Sequence, residues 1–137
     1  MSLSSTALGL LLLITFVAGC SDLVPDYPRR EPPAGLLGDA ARQEAGAALF
    51  SLHCAVCHGT PEEGRTPRAD FFVPPAPDFT SATYRSADPA YLFWRIQKGK
   101  AVEPYLSGGS VMPAWGPHLS DEELWSLVAY ILRRSGS

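Results

Sequence analysis

Cys54-Ala55-Val56-Cys57-His58 is a C-x-x-C-H string, and it decides how the rest of the chain is read. Two thiols one helical turn apart can each form a thioether with a porphyrin vinyl group, the attachment pattern of c-type haem. The histidine directly after the second thiol is then carried under the iron. Cys54 and Cys57 are therefore the candidate attachment thiols, and His58 is the candidate proximal ligand. The chain has two methionines. Met1 is the initiator, so Met112 is the thioether sulfur left to the folded domain. A His/Met pair makes a low-spin electron-transfer centre whose reduction potential the sulfur raises. The expected cofactor is one covalently attached haem c.

Other uses of the motif are weaker. Zinc needs four ligands and C-x-x-C-H supplies three. His53 is adjacent, His118 is distant, and no second cysteine pair exists. A thioredoxin-like pair calls for a βαβ setting, and no run here alternates as a strand does. His118, six residues beyond Met112, is a rival distal ligand. A buried, gap-filling role is the other use for the methionine.

The length of 137 residues suits one domain plus targeting sequence. Eleven basic against fourteen acidic residues leave a net charge of −3, too small to imply nucleic acid. The third cysteine, Cys20, follows an uncharged apolar run from Ala7 to Gly19. That run is shorter than the roughly 20 residues of a membrane span but fits the apolar core of a signal peptide. Its end, Val17-Ala18-Gly19-Cys20, resembles a bacterial lipobox. The resemblance implies cleavage before Cys20 and lipidation of its sulfur. Ordinary cleavage to a soluble periplasmic form and retention as a short anchor are the alternatives. Residues 21–37 carry Pro25, Pro28, Pro32 and Pro33 among charges, a composition that favours an extended chain. The expected organisation is a lipoprotein signal peptide over 1–19, a lipidated Cys20 and Pro-rich tether over 20–37, and a haem domain over 38–137.

Within that domain the pattern is helical. Asp39 is placed to cap a helix running through Leu49 and Phe50 to the haem motif. Asp88 caps a middle helix over Pro89 to Gly99. Ser120-Asp121-Glu122-Glu123 forms a capping box, followed by the apolar stripe Leu124, Leu127, Val128 and Ile131. Arg133 and Arg134 fall in the last turn, where cations suit the helix dipole. Pro- and Gly-rich loops connect the helices.

Gly46, Phe50 and Cys54, spaced by four, together with Leu127-Val128-Ala129-Tyr130, resemble the class I cytochromes c over residues 38–134. The resemblance implies an all-α cytochrome c fold, with three to five helices wrapped around one haem. It also implies that Tyr130 rests on the gap left by Gly46 where the first and last helices cross. Met112-Pro113 on its Gly-rich loop resembles the family's distal ligand segment. A proline carbonyl should orient His58, and Pro74, Pro75 and Pro77 are the candidates. Trp94, Tyr105, Trp115 and Trp125 are expected against the porphyrin or between helices. Arg85, Arg95, Lys98 and Lys100 are expected at a docking surface, beside the propionates or simply solvated.

The function implied is a single-electron carrier, free or as a subunit of a respiratory complex, rather than an enzyme. Its partners would be redox proteins such as a dehydrogenase, a quinol-oxidising complex or an oxidase. No nucleic acid or small-molecule substrate is expected. The site would face the periplasm, tied to a bacterial membrane through Cys20. A haem-based gas sensor or peroxidase-like enzyme is the alternative, and it requires an open or labile sixth position.

Overall fold

A computed structural model describes residues 26–136. The export segment, the lipobox and Cys20 lie outside them. Among the described residues the fold is all-α, with no strands. Helix α1 spans Ala40–His53, α2 Ala55–His58, α3 Pro89–Lys98 and α4 Asp121–Arg134. Single 3-10 turns lie at Leu36–Gly38, Pro67–Ala69 and Ala82–Ser86. The four helices fall within the expected three to five, and none is long and apolar enough to cross a membrane.

Each long helix starts where its cap is encoded. The Asp39 carboxylate accepts from Arg42 N at 2.9 Å and that of Asp88 accepts from Ala90 N at 2.9 Å. At α4 the box is reciprocal. Ser120 Oγ accepts from Glu123 N, while the Glu123 carboxylate accepts from Ser120 N at 2.8 Å. Such caps satisfy amide donors that a helix start otherwise leaves unpaired, each worth about 1 kcal/mol.

Helices α1 and α4 cross at Gly46. A Cβ there would overlap the Ser126 carbonyl and stand 2.9 Å from Tyr130 Cβ, so only glycine permits the approach. Tyr130 lies at the crossing, as expected, with its ring 5.1 Å from that of Phe50. The core continues through Leu124, Leu127, Val128 and Ile131 on α4 to Leu92, Phe93 and Ile96 on α3. Trp125 sits between these two helices, its ring 4.4 Å from Phe93.

Upstream of residue 38 the described chain is not free-standing. Leu36 is buried in the core. The Tyr27 ring stacks on Trp94 at 5.4 Å and meets Tyr91 edge-on, while its hydroxyl donates to Asp88 at 2.5 Å. Arg29 pairs with the same Asp88 carboxylate at 2.7 Å, and Arg30 pairs with Asp121. Its aromatic and basic residues strap this stretch across the N-terminal ends of α3 and α4. Trp94 is accordingly spent on Tyr27 and does not line the cleft described next.

Candidate haem site

Cys54, Cys57, His58 and Met112 line one cleft. Its volume is about 1140 Å³, counting the space open at its mouth. Phe50, Phe79, Leu92, Ile96, Leu127 and Ile131 supply apolar wall from the core helices and the loop between them.

The proximal side is built by the end of α1. Cys54 closes α1 through its N–H to Phe50 O at 2.8 Å and simultaneously opens α2. Its carbonyl accepts from Cys57 N at 3.1 Å and from His58 N at 2.9 Å, which fixes the spacing of both thiols and the imidazole. Burial, with Cys57 beside it, pushes the Cys54 thiol up to about 12. An unmodified Cys54 is thereby held as the thiol. Among the described residues no cluster of three His, Cys, Asp or Glu side chains could hold a metal ion.

His58 is buried, and its ring stacks on Phe79 at 4.7 Å. Of the three candidate prolines, Pro77 provides the carbonyl, 3.2 Å from Nδ1. With the proton at Nδ1 donated to that oxygen, Nε2 is left as the ligating nitrogen. Burial pulls the His58 pKa down against the raising effect of Pro77, and the Arg134 cation adds to the lowering. The neutral imidazole that ligation requires is thus the favoured form.

The distal side is a loop held by main-chain bonds. Met112 O accepts from Lys100 N at 2.9 Å and Ala101 N at 3.1 Å. Trp115 N and Gly116 N donate to the end of α3, at Ile96 O and Gln97 O. Gly99 makes this possible. Its φ is +64°, and a Cβ there would overlap the Pro113 carbonyl and lie 2.6 Å from Ala114 N. Trp115 lines the cleft and faces His53 at 5.0 Å. His118 is exposed and does not line the cleft, whereas Met112 does.

Two cations interrupt the apolar wall. Arg95 is 6% exposed, donates to Gly99 O at 3.0 Å and Tyr105 Oη at 3.1 Å, and lies over the Trp94 and Tyr105 rings. Its Nε is buried without a partner in the protein. Lys100 also lines the cleft, its pKa lowered by burial and by Arg95. Of the four cations noted in the sequence, these two belong to the site. Lys98 and Arg85 are exposed, and Arg85 donates to Ser135 O.

Arg134 lies in the last turn of α4, as expected, but its side chain turns inward. It is 6% exposed and donates to Gly59 O at 3.1 Å, Thr60 O at 2.6 Å and Glu63 O. Arginine at a helix end usually reads as solvated, so only the contact across 70 and more residues reveals it.

Residues 41–131 match the family model described as cytochrome C oxidase, cbb3-type, subunit III. The chain is 30% identical over 109 residues to the Cbb3-type cytochrome c oxidase subunit FixP of Azorhizobium caulinodans, covering 79% of this chain and 32% of that protein. It is 32% identical over 98 residues to the subunit CcoP of Azospirillum brasilense, covering 72% and 30% respectively. A CcoP of another Azospirillum is 28% identical over 102 residues. The chain spans about a third of the length of these curated relatives. It belongs to this family of class I c-type cytochrome domains, and membership implies haem c. The residues present fit that group: an apolar cleft, two thiols one turn apart, and an imidazole with only Nε2 uncommitted.

Proposed function

We propose that this cytochrome domain binds one haem, covalently through Cys54 and Cys57, with His58 and Met112 as axial ligands, and carries single electrons. The supporting observation is that the Pro77-oriented His58 and the loop-borne Met112 line the same apolar cleft as both thiols. When bound, the haem supplies a one-electron ferric/ferrous couple. The protein's part is to hold both axial positions, so that the electron moves with little rearrangement, and to keep water from the iron. Pro77 holds the Nδ1 proton, and the Lys100 and Ala101 amides hold the Met112 backbone. Arg95 and Lys100 offer positive charge on the cleft wall, suited to the carboxylates that a haem carries at its edge.

Its physiological partner in this reading is a membrane oxidase of the kind its relatives belong to, with this chain as subunit or immediate donor. The same reading places the domain on the periplasmic side of a bacterial membrane, lipid-anchored at Cys20. Exposed Val111 lines the cleft, exposed Phe71 and Val73 neighbour cleft residues in sequence, and the three offer apolar area for such a redox partner.

The test is an absorption spectrum of the purified protein in both redox states, with carbon monoxide then added to the reduced form. The expected result is a low-spin spectrum carrying the ferric sulfur-to-iron band, insensitive to carbon monoxide and lost in Met112→Ala. Ready carbon monoxide binding by the wild type would move the assignment to a sensor or peroxidase-like enzyme. Palmitate labelling and membrane retention of the wild type, both lost in Cys20→Ser, would support the anchor.

A further inference from the structure

Arg134 brings a full positive charge into the core without bringing an anion with it. Its three acceptors are the carbonyls of Gly59, Thr60 and Glu63, in the loop that leaves His58. No carboxylate lies within ion-pair distance of it among the described residues. Its Nε is buried and without a partner. The guanidinium lies over the Phe50 ring at 5.0 Å, and Phe50 in turn lies 6.2 Å from the His58 ring. Burying an unpaired cation costs several kcal/mol unless something offsets it. Three carbonyls offset part of that cost, and they could have been served by neutral donors. The charge itself is what a neutral donor would not supply.

We propose that Arg134 is a positioning residue with an electrostatic output: it pins the loop behind the proximal histidine, and its buried charge raises the reduction potential of the haem. This rests on the proposed haem ligation by His58. An electron arriving at the iron lowers the positive charge of the centre by one. A fixed cation nearby therefore favours the reduced form. The two ring-to-ring steps cap the guanidinium–imidazole separation at about 11 Å, where a unit charge at an effective dielectric near 20 is worth about tenfold in a redox equilibrium. Arginine suits the task because it stays protonated when buried, which lysine does not.

The experiment is spectroelectrochemical titration of wild type, Arg134→Gln and Arg134→Lys. Haem content and the absorption spectrum of each are recorded first. A wild type without covalent haem would sink the ligation reading itself, before Arg134 is tested. With haem bound and the spectrum unchanged, Arg134→Gln should lower the ferrous-to-ferric ratio at the wild-type midpoint by about tenfold. Arg134→Lys should match the wild type at a pH acid enough to keep the buried lysine charged. Raising the pH then removes that charge in place, since a buried lysine loses its proton well before a solvated one. The midpoint of Arg134→Lys should fall through that titration while the wild type shows no added step. This arm serves even where Arg134→Gln fails to fold. The titratable groups facing Arg134 from neighbouring elements are His58 on α2 and Asp78 in the following loop, and both are common to all three proteins. Equal midpoints in Arg134→Gln and wild type, or no pH step in Arg134→Lys, would reduce Arg134 to a mechanical clamp.

Discussion

The two walls of the cleft are held by different means. On the proximal side, side chains from α1, α2 and α4 converge on one aromatic hub, Phe50. It is 1% exposed, with Phe79, His58 and Tyr130 around it and Arg134 above it. On the distal side, the Met112 loop hangs from the end of α3 by two main-chain hydrogen bonds and closes on itself at Met112 O by two more, and Val102, Leu106 and Val111 within it are exposed. The first wall is part of the folding core. The second packs on its edge through Met112 and Trp115. The proximal ligand should therefore persist until the domain unfolds, whereas the distal ligand should be the first to let go.

The strongest way to break that contrast is at the helix crossing. Gly46→Ala gains about 1 kcal/mol of helix propensity but must push the Ser126 carbonyl away. The clash prevails, with a net loss of about 2–4 kcal/mol and both walls failing together. Chemical denaturation followed by haem absorbance and by circular dichroism should show coincident transitions at lower denaturant. A stable, normally assembled Gly46→Ala protein would mean that the crossing is looser than it is drawn.

Gly99→Ala sharpens the contrast from the other side. The strained φ and the overlap with Pro113 together cost about 2 kcal/mol, confined to the distal loop. The sulfur-to-iron band should weaken, and carbon monoxide should bind the reduced protein, at denaturant concentrations that leave helical circular dichroism intact. If the two signals instead collapse together, the loop belongs to the core.

The strap over α3 and α4 supplies the smallest effect. Asp88→Asn keeps an N-cap but loses the charge that Arg29 pairs with, a change within about 1 kcal/mol at an exposed site. The ring-current shift of the Tyr27 ring protons against Trp94 should shrink while the helices keep their exchange protection. In the wild type, the hydrogen bond from Tyr27, followed by the Ala90 amide and Arg29, holds the Asp88 carboxyl below its usual 3.8. Its contribution is complete above that value and is lost as the pH falls through the lowered one. The Tyr27 ring-current shift should fall away only at the acid end.

Which of these features the sequence revealed follows from the range of the interactions. Caps at Asp39, Asp88 and Ser120 join residues two or three apart, so local spacing exposes them. Gly46 and Tyr130 were legible through a resemblance that already holds the crossing in its pattern. The choice of Pro77 over its neighbours needed the loop's path. Tyr27 with Asp88 and Arg134 with Gly59 join positions 61 and 75 residues apart, and nothing local marks either pair. Charged and aromatic residues outside a motif default to solvent or core in such reading. Arg95 and Arg134 fit neither default, being cations buried over aromatic rings.

The strap also sets a length. An extended residue spans at most about 3.5 Å, so the seven steps from Cys20 to Tyr27 reach about 25 Å. The nineteen steps from Cys20 to Asp39, had they all been slack, would reach about 65 Å. With the lipid anchor proposed at Cys20, docking Tyr27 on Trp94 converts a roving leash into a short mooring. The haem edge then sweeps a shell little thicker than the domain itself, and its partners must stand close to the same patch of membrane.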